Sequence, residues 1–290
     1  MRRSVRYAAS GFPEGVDMSK EVATHYGGSG GLAEKIAESL RSAGKDLDKL
    51  KATDLEAIDE FHFRGREATL ELAGQMRLSK DSCVLDIGSG LGGTARTLAG
   101  EYGCRVLGLD LTPEFCDAAG FITDWVDLSD RVEFRQGDAT NPPFADNHFD
   151  AAITIHVAMN IPAKDKLYAQ TRRVVKPGGI FAVYDILQGE GGDALFPAPW
   201  ARDPSISYLA TTDEMKALLS GAGFKILDVH DSTDESLSWL EARTMRMAQS
   251  APSPVTTRIL FGDDFSEMTQ NQTIGLTERR IRTVSFICQA

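Results

Sequence analysis

The sequence predicts an α/β fold, a doubly wound parallel sheet with helical crossovers. Three observations carry this expectation. From Cys83 onward, short apolar and β-branched runs alternate with amphipathic stretches, as strand–helix–strand units require. The first of these runs, Val84-Leu85-Asp86-Ile87, feeds a Gly-rich turn and then a helix. At 290 residues, 42% hydrophobic and 25% charged, the chain is long enough to bury one large core with a smaller cap beside it.

Taken in order, residues 1 to about 20 read as a loose tail, because Gly11, Pro13 and Gly15 break any period. Gly27-Gly28-Ser29-Gly30-Gly31 reads as a hinge. Leu32, Ile36 and Leu40 recur at helical spacing, and Gly44 is placed to stop that helix. Thr53-Asp54-Leu55-Glu56 spells a capping box, and a further helix follows over roughly 66–76. The expected strands are Cys83–Ile87, Arg105–Asp110, Val132–Gln136, Phe149–Ile155, Gly179–Asp185, Phe224–His230 and Arg282–Cys288. Thr112-Pro113 supplies an N-cap with Pro at the first helical position. Thr211-Thr212-Asp213-Glu214 is a second capping box, opening a helix that Gly221 or Gly223 closes. The division expected is a tail and helical lid over 1–75, the main domain over 76–230, a helical cap over 231–279, and the last strand over 280–290.

Composition excludes several functions. Lys and Arg number 31 against 42 Asp and Glu, a net charge of −11, which repels phosphate backbones and anionic lipid. No apolar stretch is long enough to span a bilayer, and no apolar segment follows the basic start Arg2-Arg3. The four cysteines form no C-x-x-C pair and read as free thiols of a cytoplasmic protein. The five histidines have no paired-ligand spacing, so no metal is expected. A small-molecule partner is expected instead, and a homodimer is compatible with the chain.

The turn Gly88-Ser89-Gly90-Leu91-Gly92-Gly93 lets a ligand approach the backbone closely. Its glycines alone do not choose between a nicotinamide dinucleotide and S-adenosylmethionine. Asp86, two residues before the first glycine, suits an ammonium better than a pyrophosphate. Asp110 ends the second strand, where a carboxylate accepts ribose hydroxyls. Gly137-Asp138-Ala139 follows the third strand, where a carboxylate meets an adenine amino group.

With Phe149-Asp150 and Lys176-Pro177-Gly178-Gly179, these pieces resemble, in order and spacing, the class I S-adenosylmethionine-dependent methyltransferases over roughly residues 80–185. The resemblance implies a Rossmann-like seven-stranded sheet with an antiparallel last strand. It also implies S-adenosyl-L-methionine as cofactor and S-adenosyl-L-homocysteine as product. Asp86 and Gly88 would face the methionine end, Asp110 the ribose and Asp138 the adenine. Ser89, Gly90, Gly92, Leu111, Gly137, Ala139 and His156 complete the expected cofactor contacts. Asn141-Pro142-Pro143-Phe144 spells an amino-methyltransferase motif but precedes the fourth strand rather than following it, so it reads as a stiff loop.

Residues at the carboxyl ends of the strands face such a site. His156 is the expected base or acceptor-orienting group; a hydrogen bond to a loop carbonyl or the cofactor is the alternative. Tyr184 and Tyr26 join it as catalytic candidates. His62, Asn160, Asp185, Trp200 and Tyr208 are the expected substrate contacts, with Asp185 offsetting a cationic acceptor or capping the next loop. The aromatic segment 186–210 reads as a roof. The layout resembles the small-molecule branch that includes sarcosine, dimethylglycine and phosphoethanolamine N-methyltransferases and the quinone C-methyltransferases. An amine nitrogen is the favoured acceptor, with a carbon or oxygen of a quinone or phenol as alternative and a non-catalytic cofactor-binding scaffold as rival.

Overall fold

A computed structural model describes residues 31–249 and 258–290. The N-terminal tail, most of the Gly-rich hinge, His25 and Tyr26 lie outside the described residues. Among those described, seven strands form one sheet: β1 Cys83–Ile87, β2 Arg105–Asp110, β3 Val132–Gln136, β4 Phe149–Ile155, β5 Val175–Gln188, β6 Lys225–Asp231 and β7 Ile281–Gln289. Their order is β3-β2-β1-β4-β5-β7-β6, and β7 alone runs antiparallel to its neighbours.

Strand alternation sends successive side chains to two separate cores. Val84, Val106, Ile153, Ala182 and Ile186 enter one, with α3 (Gly65–Gln75) and α4 (Gly93–Tyr102) packed on it. Leu85, Leu109, Ala152, Phe181 and Val183 enter the other, against α6 (Lys164–Val174) and α7 (Thr212–Gly221). A third cluster packs Ile36 and Leu40 of α1 (Leu32–Ser42) on Phe115 and Ile122 of α5 (Pro113–Trp125). It also takes in Ile58 of the short α2 (Glu56–Asp59). Between β6 and β7 stand α8 (Thr233–Gln249), α9 (Arg258–Phe261) and α10 (Phe265–Thr277).

Local signals differ in two places. The capping box at Thr211 forms, with reciprocal bonds between Thr211 and Glu214. The one expected at Thr53–Glu56 does not. Asp54 instead accepts the Lys51 amide at 3.0 Å and the Lys45 ammonium at 2.7 Å, so the turn closes before Thr53 can cap it. The fifth strand also runs three residues past its expected end, because β7 pairs with it from Ile180 to Gln188.

The sheet fixes where a ligand can sit. β1 pairs with β2 on one side and β4 on the other, so the chain leaves β1 in opposite directions. The crevice at the carboxyl ends of these strands is the binding position of an open α/β sheet.

Candidate active site

A cavity of about 310 Å³ occupies that crevice. Its floor is the turn after β1. The Gly88 and Ser89 amides donate to the Leu109 carbonyl at 2.7 and 3.1 Å, and the Gly90 amide donates to Asp110 Oδ2 at 2.8 Å. The turn is thereby tied over the end of β2. Gly88 requires glycine twice over: its φ is +72°, and a Cβ there would stand 2.3 Å from Val157 Cγ2.

Asp86, Gly88, Ser89, Gly90, Asp110, Leu111, Gly137, Asp138, Ala139 and His156 all line this cavity. Gly92 does not. A Cβ on it would meet the Phe134 ring at 2.4 Å, so this glycine makes room for the core rather than for a ligand. Asp86 is buried, and its Oδ2 has no hydrogen-bond partner; the buried Ser89 hydroxyl has none either. Burial, with the negative charges of Asp110 and Glu60 nearby, pushes the Asp86 carboxyl up to about 8. Asp110 is buried too, and its Oδ1 accepts the Thr112 amide at 2.9 Å. Asp138 Oδ1 takes both the amide and hydroxyl bonds of Thr140 at 2.8 Å. A buried carboxyl with one oxygen unpartnered and a buried hydroxyl unpartnered, both lining the cavity at a turn where Gly88 admits no Cβ, fit a ligand bringing an ammonium to this floor.

The opposite wall begins at His156, whose φ is +54° and whose amide donates to the Tyr184 carbonyl at 2.8 Å. Its imidazole is packed among Phe63, His62 and Tyr184, with ring centres at 5.5, 5.8 and 5.1 Å. Burial, and then the His62 ring, hold it well below the ordinary histidine value, so it is neutral with Nε2 unpartnered. His62 also lines the cavity; its Nδ1 donates to the Phe63 carbonyl at 3.1 Å.

The roof is held by the turn after β4. Asn160 Nδ2 donates to the Trp200 and Ile206 carbonyls, both at 2.8 Å, and the Tyr208 amide donates to the Met159 carbonyl at 2.7 Å. Lys164 Nζ donates to the carbonyls of Ile161 and Tyr208. Asn160, Trp200 and Tyr208 line the cavity.

Tyr184 and Asp185 are not among the lining residues, and the longer β5 explains why. They sit inside the paired strand rather than at its end, and Ile186 faces the cavity instead. The Tyr184 hydroxyl lies 3.0 Å from Ser236 Oγ and accepts from Ser232 Oγ at 3.3 Å. Burial pushes the Asp185 carboxyl up to about 7, against the Lys164 ammonium and the amides of Ile186, Ala158 and Met159. It braces the turn that carries Asn160 with one carboxyl oxygen, its Oδ2 being unpartnered, and it does not line the cavity where an acceptor would sit. Phe261 and Gln272 of the cap, and Asp59 paired with Arg96 at 2.7 Å, line the cavity without any motif to announce them.

Residues 85–183 match the family profile described as Methyltransferase domain. They are a class I S-adenosylmethionine-dependent methyltransferase domain. The cofactor of this domain class is S-adenosyl-L-methionine. The chain is similar to sterol 24-C-methyltransferase ERG6B of Gibberella zeae, 33% identical over 196 residues, covering 64% of this chain and 52% of that one. It is similar also to sterol 24-C-methyltransferase ERG6 of Saccharomyces cerevisiae, 30% identical over 173 residues, covering 57% and 45%. It thus spans about half the length of the curated relatives it matches. Among solved structures, geranyl diphosphate C-methyltransferase from Streptomyces coelicolor A3(2) aligns with a TM-score of 0.68 at 16% identity, covering 94% and 98%. Phosphoethanolamine N-methyltransferase 2 of Haemonchus contortus aligns at 0.69 and 19% identity, covering 90% and 60%. These two share the fold of the methyltransferase domain.

Proposed function

We propose that the chain transfers a methyl group from S-adenosyl-L-methionine to a small molecule, at a carbon of a largely apolar acceptor. The observation that carries this is the division of the cavity. Its carboxylates, Asp59, Asp86, Asp110 and Asp138, belong to the cofactor side or to the Arg96 pair, whereas Ile155, Met159, Ile186, Trp200 and Ile206 give the acceptor side apolar walls. An amine acceptor would want a carboxylate opposite it, and Asp185 does not supply one. The sterol 24-C-methyltransferases among the relatives support the same choice.

In this reading Asp86 receives the ammonium of the methionine moiety, Asp110 the ribose hydroxyls and Asp138 the adenine amino group. The bound cofactor supplies an electrophilic methyl on a sulfonium. The chain aligns the acceptor and excludes water by the roof that Asn160 pins. Methylation of an unsaturated carbon would form one carbon–carbon bond as the methyl–sulfur bond breaks and the thioether product leaves; the neighbouring carbon would be left electron-deficient, and loss of a proton from that neighbourhood would restore the double bond. His156, which lines the cavity with a neutral imidazole whose Nε2 is unpartnered, is the group we assign to take that proton. Among the described residues no helix is long and apolar enough to cross a membrane.

The test is incubation with methyl-labelled cofactor against a panel of isoprenoids, sterols, quinones, phenols and amines, read by mass spectrometry. Label on carbon is expected. Label confined to amines would sink the carbon assignment, and cofactor binding with no label anywhere would favour a non-methylating role.

A further inference from the structure

A second chamber of about 200 Å³ adjoins the first. Phe61, His62, Pro199, Phe261 and Gln272 stand in the walls of both, so they mark the junction between the two. The junction is mainly aromatic: Phe61 meets Phe261 edge-on at 5.8 Å, and Phe261 stacks on Phe265 at 6.2 Å. Of the five shared residues, His62 and Gln272 are the two with polar side chains.

These two differ in what their polar atoms do. His62 Nδ1 faces the Phe63 carbonyl at 3.1 Å and Nε2 the Thr69 hydroxyl at 3.3 Å, so both ring nitrogens are engaged within the fold. The Gln272 amide has no hydrogen-bond partner among the described residues. Its placement is set by α10, where Phe265, Thr269 and Gln272 recur on one face at helical spacing. The preceding residue, Asn271, donates from Nδ2 to the Pro197 carbonyl at 3.0 Å, which pins that helix to the roof segment. The other polar side chains of the second chamber are engaged elsewhere. The Thr244 and Thr269 hydroxyls donate to the Leu240 and Phe265 carbonyls of their own helices, both at 2.8 Å. Arg243 and Ser266 have interactions of their own.

An apolar ligand crossing the junction would strip water from the Gln272 amide, and a ligand with no replacement hydrogen bond bears that cost. A primary amide both donates and accepts, and a hydroxyl answers it in both respects. An ammonium can only donate to it, and a carboxylate can only accept.

We propose that Gln272 is a specificity-determining residue that hydrogen-bonds a hydroxyl of the methyl acceptor while the acceptor's apolar body lies against Phe61 and Phe261. This rests on the methyl-transfer reading for its role, but not for the binding itself. It narrows the acceptor class from largely apolar molecules to elongated alcohols.

The experiment titrates two isomers, 1-octanol and heptyl methyl ether, calorimetrically into the full chain with and without S-adenosylhomocysteine. The ether accepts a hydrogen bond but donates none. Octanol is expected to bind about fivefold tighter, the worth of one neutral hydrogen bond. That preference should vanish in Gln272→Met, which keeps the length of the side chain without its amide. In Gln272→Glu, which keeps acceptor oxygens, it should persist in part. Equal affinity of the two isomers for the wild-type chain would overturn the proposal without any variant. So would a preference unchanged in a folded Gln272→Met, which would put the hydroxyl on another group such as Nε2 of His156. Failure of S-adenosylhomocysteine to bind, with the octanol preference present and lost in Gln272→Met, would refute the methyl-transfer reading and leave the Gln272 contact standing.

Discussion

In the proposed reading, Asp86 would couple cofactor binding to its own proton. Burial raises its carboxyl from 3.8 to about 8, so the empty site carries a protonated acid near neutrality. A folded-state pKa above the unfolded one means that the stability this group contributes is full below about pH 4 and is lost as pH rises through about 8. Asp86→Asn is therefore expected to raise the melting temperature of the cofactor-free protein more at about pH 9 than at about pH 5. A ligand ammonium has the opposite effect and favours the carboxylate. Binding of S-adenosylhomocysteine near pH 7 should release a proton in the wild type and none through this position in Asp86→Asn, as calorimetry in two buffers of different ionisation enthalpy would read. Equal heats in both buffers for the wild type would count against the ammonium assignment. That Asp86, Asp110 and Asp138 line the cavity was legible in the sequence because each stands at or just past the carboxyl end of a parallel strand. Tyr184 and Asp185 misled because their strand continues to Gln188, and a pairing made by β7 a hundred residues later is invisible locally.

At the scale of elements, the Asn160 amide is one of three groups that pin the roof, beside the Tyr208 amide and Lys164. Asn160→Ala would remove two buried hydrogen bonds of 2.8 Å and leave the Trp200 and Ile206 carbonyls without that donor. The expected cost is about 2 kcal/mol of stability, read by chemical denaturation. Acceptor KM should rise further than cofactor Kd weakens, because the amide anchors the roof and not the floor. Unchanged stability would show that the roof is held by Lys164 and the Tyr208 amide alone. The 186–210 segment stood out in the sequence by its length and aromatics. Its anchor did not, because an Asn after a strand looks the same whether it faces a substrate or a carbonyl. The failed capping box at Thr53 has a similar origin: two acceptors sat in adjacent positions, and the carboxylate of Asp54 was taken up by Lys45 and Lys51.

For the whole molecule, the alternation of strands and helices was enough to give all seven strands: β1, β4, β5 and β7 are buried on both faces and read as near-continuous apolar runs, while the edge strands β3 and β6 keep exposed polar positions among their apolar ones. The cap was legible only as a gap in that alternation. Its side chains enter the site from helices far along the chain, so Phe261 and Gln272 carried no signal of spacing. The assembled cavity joins a carboxylate-lined floor to apolar walls, and that union is what methyl transfer to an apolar acceptor requires. Isothermal titration of the whole chain with S-adenosylhomocysteine and, in parallel, NAD tests this most directly. Saturable binding of the sulfur nucleotide with none of NAD is the expected result. No binding of S-adenosylhomocysteine, or binding of NAD in its place, would contradict the assignment and turn the Gly88–Gly93 turn into a dinucleotide or purely structural one.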